Sequence, residues 1–194
     1  MSVSLVKGQK VNLQKEDGTN LNKIVVGLGW DVNKYDGQAD FDLDTSVFLL
    51  NSNGKVRSDK DMIFYGNLKS EDGSVEHTGD NLTGEGEGDD EQIKIDLSKV
   101  PADVEALAVT VTIYDAENRK QTFGQVSNAF ARILDQDNNN EVIRYDLGED
   151  YSTETALVVA KIYRHNGNWK IEAVGSGYNN GLSGLGKDFG VNIA

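Results

Sequence analysis

Ala-Leu-Ala-Val-Thr-Val-Thr-Ile-Tyr, residues 106–114, is the stretch that decides the fold class of this chain. Its apolar residues Val109, Val111 and Ile113 alternate with Thr and Tyr, which is the period of a β-strand with one buried face. The other apolar runs are also short, and turn residues interrupt them about every ten positions. Such strands, joined by tight turns, predict an all-β fold: a two-sheet β-sandwich of about ten short strands in a single domain over residues 1–194.

The remaining predicted strands are Lys10–Gln14, Lys23–Trp30, Ser46–Leu50, Met62–Tyr65, Gln92–Leu97, Val126–Leu134, Glu141–Tyr145, Ala156–Tyr163 and Trp169–Val174. Asn53-Gly54 and Asn166-Gly167 favour the positive φ that hairpin turns require. Helix is expected only as minor short pieces, in a turn at Ser98–Val104 and in a glycine-rich segment near Leu182–Phe189.

The residue types that the chain lacks narrow its chemistry. It has no Cys, which excludes disulfides, thiolate metal sites and cysteine nucleophiles, and its two His argue against a His-rich zinc or copper site. Only oxygen ligands are left for a metal. The formal net charge of −13 disfavours nucleic acid and anionic membranes as partners. Because no apolar run approaches the roughly 18 residues of a spanning helix, we expect no direct membrane insertion and a cytoplasmic protein.

Asp-Phe-Asp-Leu-Asp (40–44) predicts one half of a cation site. As the start of a strand, it places Asp40, Asp42 and Asp44 on one face, roughly 6.5–7 Å apart, with Phe41 and Leu43 on the other. Like charges at this spacing repel one another, and a divalent cation would turn each carboxylate into a ligand. A solvated acidic edge is the alternative interpretation.

A long acidic loop, from about Glu71 to Glu91, predicts the other half. Between Ser70 and Ile93 there are nine acids and no Lys or Arg. Residues 79–91, Gly-Asp-Asn-Leu-Thr-Gly-Glu-Gly-Glu-Gly-Asp-Asp-Glu, combine carboxylates, an amide and glycines that can turn backbone carbonyls inward. Calcium prefers these oxygen donors. The alternative is a disordered acidic loop. His77, inside the loop, is expected at the surface.

The acidic stretches do not form an EF-hand. Aligned to the first three EF-hand ligands, residues 40–44 place Thr45 where a Gly is needed and Asn51 where the bidentate Glu belongs. We therefore expect a site assembled from separate loops at one end of the sandwich, with Asp31, at a strand end, as a further ligand. The metal-like run 135–141 lies between two predicted strands, and we interpret it as a hairpin turn.

These residues resemble those of the TerD/TerZ tellurium-resistance and stress-response family, including its TerE-type members, over nearly the whole chain. The matching stretches are Val-Gly-Leu-Gly-Trp-Asp (26–31), residues 40–44, residues 79–91, Phe-Gly-Gln-Val (123–126) and Tyr-Arg-His-Asn-Gly-Asn-Trp-Lys (163–170). The resemblance implies a β-sandwich that binds calcium, with more than one ion expected, in a bowl of acidic loops, and a role in resistance to tellurite and other stresses. It also implies protein partners, namely related stress-response proteins in a membrane-associated complex that would hold the chain at the inner face of the membrane.

Carried over by position, the resemblance implies a set of calcium ligands: Asp31, Asp40, Asp42, Asp44, Asp80, Asn81, Asp89, Asp90 and Glu91, with backbone carbonyls from Gly84 and Gly86. The chain departs from the family pattern in having Leu82 where members often have Arg, Glu87 where they have Asp, and Ala39, which looks inserted. The first two could change the local charge or a partner contact, and the third could shift a loop. None removes a predicted ligand.

Three functions fit these residues. The first is a calcium-binding, non-enzymatic stress protein whose acidic loops are ordered by calcium into a partner-binding surface. The second is a carboxylate-dependent hydrolase such as a glycosidase, which the crowded, hydrophilic setting of the acids disfavours. The third is a metal-independent acidic interaction module. Direct reduction or trapping of tellurite would require thiols or a redox cofactor, and this chain has no thiol. An acidic surface also repels anions such as tellurite.

Overall fold

A computed structural model describes residues 2–31, 40–79, 88–147, 153–191 and 193 of the chain. In chain order the strands are β1 (Val3–Ser4), β2 (Lys10–Asn12), β3 (Lys23–Gly29), β4 (Leu43–Leu50), β5 (Met62–Ile63), β6 (Val75–His77), β7 (Glu91–Asp96), β8 (Ala106–Ile113), β9 (Phe130–Asp135), β10 (Glu141–Asp146), β11 (Ala156–His165) and β12 (Asn168–Tyr178). The helices are α1 (Ala116–Arg119) and α2 (Gly181–Phe189), with short 3-10 turns at Asp59–Asp61 and Phe123–Gln125. The predicted all-β class is confirmed.

The strands form two six-stranded sheets that face each other. The first sheet has the order β1-β10-β9-β3-β7-β6, and the second has the order β2-β12-β11-β8-β4-β5. Paired strands are antiparallel except β1, which runs parallel to β10. Among the described residues, no helix is long and apolar enough to cross a membrane.

The main core lies between the sheets and is built from alternate residues of the central strands. On β8 its members are Leu107, Val109, Val111 and Ile113, as the alternation in the sequence predicts. The other face of β8 is buried as well, with Thr110 at 0% exposure. On this face Ala106 and Ala108 belong to a second apolar cluster, which also includes Phe48 and Leu185 of α2.

The structure differs from the predicted elements at several boundaries. β4 begins at Leu43 rather than Ser46, and β6 lies inside the stretch expected to be one long loop. β9 begins at Phe130 rather than Val126, after a bend at Asn128, whose φ is positive, and residues 98–104 form turns without helix. Asn166-Gly167 does turn β11 into β12, with both φ angles positive.

The central position of β8 yields a stability prediction. Leu107 is fully buried in the main core, so Leu107→Ala should lower the free energy of unfolding by about 2–5 kcal/mol, through lost apolar contact and the cavity left behind. Leu68, which is 47% exposed, provides the matched control, and Leu68→Ala should change the free energy by less than about 1 kcal/mol. Urea-induced unfolding measures both, and equal effects would contradict the described packing.

Candidate metal centre

Acidic residues gather at one end of the sandwich. β3 ends and β7 begins there in the first sheet, and β4 begins there in the second. Trp30 Nε1 donates to Phe41 O at 3.1 Å and Thr45 N donates to Glu91 Oε2 at 2.7 Å, so hydrogen bonds join the two sheets at this end. The predicted ligands Asp80, Asn81, Gly84 and Gly86 lie outside the described residues.

Asp90 is a crowded carboxylate at this end, with the charges of Asp89 and Asp31 nearby. Asp90 Oδ2 accepts a hydrogen bond from Trp30 N at 2.9 Å, and Asp31 Oδ2 accepts one from Asn128 Nδ2 at 2.8 Å. Burial raises the pKa of Asp90, and the nearby charges of Asp89 and Asp31 raise this pKa further, against the opposing effect of the Trp30 hydrogen bond. The carboxyl of Asp90 is therefore harder to ionise than an ordinary aspartate, as expected where like charges crowd together.

The aspartates before and within β4 lie on the side of the chain predicted for them. Phe41 and Leu43 belong to the main core, so Asp42 and Asp44 take the opposite side of the strand. Both are nevertheless buried, at 5% and 4% exposure. Arg119 Nη2 lies 3.9 Å from Asp42 Oδ2, which is at the outer limit of an ion pair.

Asp40 is exposed, but its backbone is held in place. Its carbonyl oxygen accepts hydrogen bonds from Gln121 Nε2 at 3.3 Å and from Arg119 Nη1 at 3.4 Å. Arg119 therefore contacts the backbone carbonyl of Asp40 and the carboxylate of Asp42. It comes from α1, a helix that the sequence analysis did not predict.

Glu91 and His77 lie between the sheets, which corrects the prediction that His77 is a surface residue. Their exposures are 2% and 3%. Gly79 N donates to His77 Nδ1 at 3.2 Å, so a neutral His77 ring carries its proton on Nε2. His77 Nε2 lies 3.5 Å from Glu91 Oε2. Because Glu91 also accepts the Thr45 amide, one of its oxygens already has a structural role.

Asp89 lies apart from the other predicted ligands, over the outer face of the first sheet. Its Oδ1 accepts from Arg132 Nε at 2.7 Å and its Oδ2 accepts from Gln92 Nε2 at 3.0 Å. The side chain is completely buried, since it packs against Gly27. Sequence analysis missed Arg132, although a glycine inside a strand signals a close approach of this kind.

The donor set at this end fits a hard cation in part. Asp31 and Asp90 present hydrogen-bonded carboxylates whose like charges repel each other. Asp42 and Asp44 add carboxylates from the second sheet. Calcium prefers such oxygen ligands, six to eight at a time. Within the part of the chain that the structure describes, no group of three or more His, Asp or Glu side chains is arranged to hold a metal ion. A complete site therefore needs further ligands.

Run 135–141, the other metal-like stretch, is a hairpin turn between β9 and β10. Asp135 Oδ1 accepts from Asp137 N at 3.0 Å, and its Oδ2 is 3.2 Å from Lys15 Nζ. Asn139 adopts a positive φ, as this turn requires. These contacts give the acids of this turn structural partners.

Comparison with known proteins gives consistent results. The sequence profile of the TerD domain matches residues 1–189. General stress protein 16U of Bacillus subtilis (strain 168) is 57% identical over the whole of both chains, and tellurium resistance protein TerD of Serratia marcescens is 58% identical, again over the whole of both. Among solved structures, a homologue of telluride resistance protein (TerD) from Streptomyces coelicolor A3(2) has a TM-score of 0.73 at 20% identity, covering 90% of this chain and 100% of its own.

The raised pKa of Asp90 predicts a pH dependence in protein freed of divalent cations. An acid whose folded-state pKa is raised stabilises the fold at pH below its unfolded pKa, about 4, and loses that contribution as the pH rises through the folded pKa. Asp90→Asn should therefore melt above wild type at pH 7, and the difference should shrink as the pH falls towards about 4. Thermal unfolding across this pH range, with chelator present, provides the measurement.

Asp72 offers a control of opposite sign. Burial favours its neutral form, but hydrogen bonds from Ser74 and Ser70 and the charge of Arg57 outweigh burial, so the pKa of Asp72 is lowered. The stability it contributes is present above the unfolded pKa and is lost as the pH falls through the folded pKa. Asp72→Asn should therefore melt below wild type at pH 7. If Asp90→Asn also melts below wild type in chelator, the described crowding of Asp90 is wrong.

Proposed function

The chain belongs to the TerD domain family of tellurium-resistance and stress-response proteins, and from this premise we propose that it is a non-enzymatic, calcium-binding protein. The observation that carries the proposal is the setting of Asp90, whose pKa is raised by burial and then by the nearby charges of Asp89 and Asp31. A divalent cation between two such carboxylates removes their repulsion and makes their ionised form favourable.

The chain's own contacts prepare these carboxylates for a cation. Trp30 N fixes one oxygen of Asp90, and Asn128 fixes one oxygen of Asp31. Ligands that are already oriented by hydrogen bonds lose less conformational freedom when they bind a metal. We assign Asp31, Asp42, Asp44 and Asp90 as ligands from the described residues, and Asp80, Asn81, Gly84 and Gly86 as ligands from the acidic loop. The hard oxygen chemistry of this set favours calcium, with room for more than one ion across the two groups of acids.

The proposed role of calcium is to neutralise and order the acidic end of the sandwich, so that it presents a defined surface to other proteins. Binding at a site present only in the folded state stabilises that state by mass action. The names of the relatives connect this family with tellurium resistance and general stress. We propose related stress-response proteins, assembled at the inner face of the membrane, as its partners. Its effect on tellurite is then indirect, because the chain has no thiol.

Calcium should raise the melting temperature of the metal-stripped protein, and excess chelator should reverse the rise. At a calcium concentration about 100 times Kd, the gain should be about 2.7 kcal/mol. Isothermal titration calorimetry with calcium, and with magnesium as the competing ion, gives Kd and stoichiometry. A wild-type protein that shows neither heat of binding nor a shifted midpoint with calcium would overturn the proposal.

A charge-matched pair of variants tests where calcium binds. Asp31→Asn should weaken calcium binding by at least about tenfold, since it removes one charged ligand. Asp137→Asn removes the same charge in the β9–β10 turn, at the opposite end of β9 from the acidic end, and should leave Kd unchanged. Equal losses in both variants would show that calcium responds only to the overall negative charge of the surface.

A further inference from the structure

We infer that Asp89 is not a calcium ligand but one half of a clasp, with Arg132 as the other half, that positions the end of the calcium-binding loop. This clasp is the Asp89–Arg132 pair on the outer face of the first sheet, with Gln92 and Gly27 beside it. The expected effect on calcium affinity rests on the proposed calcium function, whereas the contacts of the clasp lie within the described residues.

The geometry of the clasp follows from the register of three strands. Gly27 of β3 lies opposite Gln92 of β7 on one side and opposite Arg132 of β9 on the other. The Asp89 carboxylate lies over Gly27 and bonds both flanking side chains, Arg132 at 2.7 Å and Gln92 at 3.0 Å. A Cβ at position 27 would come 2.2 Å from Asp89 Oδ2, so only glycine leaves room for the carboxylate.

Both oxygens of Asp89 are engaged by the clasp. The side chain is completely buried, and a buried carboxylate needs a paired charge and hydrogen bonds to offset lost hydration. Arg132 supplies the charge and is itself held by Glu141, at 3.2 Å, and by the ring of Phe130 beneath it. Each oxygen of Asp89 therefore has a protein partner on the outer face of the first sheet.

The clasp acts on the metal centre through the next residue in the chain. Asp90 N donates to Leu28 O at 2.8 Å, and Asp90 Oδ2 accepts from Trp30 N at 2.9 Å. With Asp89 anchored one peptide away, about 3.8 Å along the backbone, the position of Asp90 is fixed from both its backbone and its side chain. Arg132 is therefore a positioning residue, which orients a ligand without touching the ion.

The experiment compares calcium affinity in Asp89→Asn, Arg132→Met and the double variant, by calorimetry. Each single variant should weaken binding about 10- to 100-fold, and the double variant should be no weaker than the worse single variant, because both act through one contact. Arg132→Lys, which keeps the charge but loses the planar guanidinium, should recover part of the affinity. Arg144→Met is the matched control: Arg144 also stacks on Phe130 and lies 3.6 Å from Glu141, but its hydrogen bond goes to Asp146 rather than Asp89, and its loss should leave Kd unchanged.

A second readout does not depend on calcium. In the calcium-free protein, amide hydrogen exchange at Asp90 should be about tenfold faster or more in Arg132→Met and Asp89→Asn than in wild type and Arg144→Met. If Arg132→Met does not fold, the double variant and Arg132→Lys carry the same comparison, because they leave no buried carboxylate without a cation.

The outcomes separate the clasp from the proposed function. If wild type binds calcium and Asp89→Asn costs far more affinity than Arg132→Met, then Asp89 is a ligand and the inference is wrong. If Arg132→Met matches wild type in both affinity and exchange, the clasp has no positioning role. If wild type binds no calcium, the proposed function fails, and the exchange rates alone decide whether the clasp holds the loop end.

Discussion

The hydrogen bond from Thr45 N to Glu91 brings the two halves of the acidic end together. Glu91 opens β7 in the first sheet, and Thr45 lies near the start of β4 in the second. Because the bond joins opposite sheets, the residues just before its two ends, Asp90 and Asp44, are brought to the same end of the sandwich. A carboxylate buried this deeply is tolerated only with hydrogen-bonding partners, and Glu91 accepts the Thr45 amide, while His77 Nε2 lies 3.5 Å from the same oxygen.

Three consecutive acids at the end of the loop have three different partners. Asp89 is held by Arg132, Asp90 by the backbone of Trp30, and Glu91 by the backbone of Thr45. Much of the negative charge in this part of the sequence therefore serves to fasten the loop end to the sandwich. Asp90 still lies close to the like charges of Asp89 and Asp31, and this is why its setting carries the proposed function.

Local patterns in the sequence predicted the fold well, since strand alternation and Asn-Gly turns depend on neighbouring residues. The sandwich, the faces of residues 40–44 and the hairpin at 135–141 are all found in the structure. Long-range partners could not be predicted in this way. Arg132 is 43 residues from Asp89, and His77 appears exposed until β6 is seen to pair with β7. The two glycines of β3 were the available signal, because a strand interior without side chains indicates that another group fills the space.

The outermost strands of the two sheets have a consequence for the protein at high concentration. β1 and β6 border the first sheet, β2 and β5 border the second, and each is only two or three residues long. A short border offers few free amides and carbonyls to a neighbouring molecule. Copies of this chain that crowd together therefore have little opportunity to zip into continuous intermolecular sheets, and the mutual repulsion of strongly negative molecules acts in the same direction.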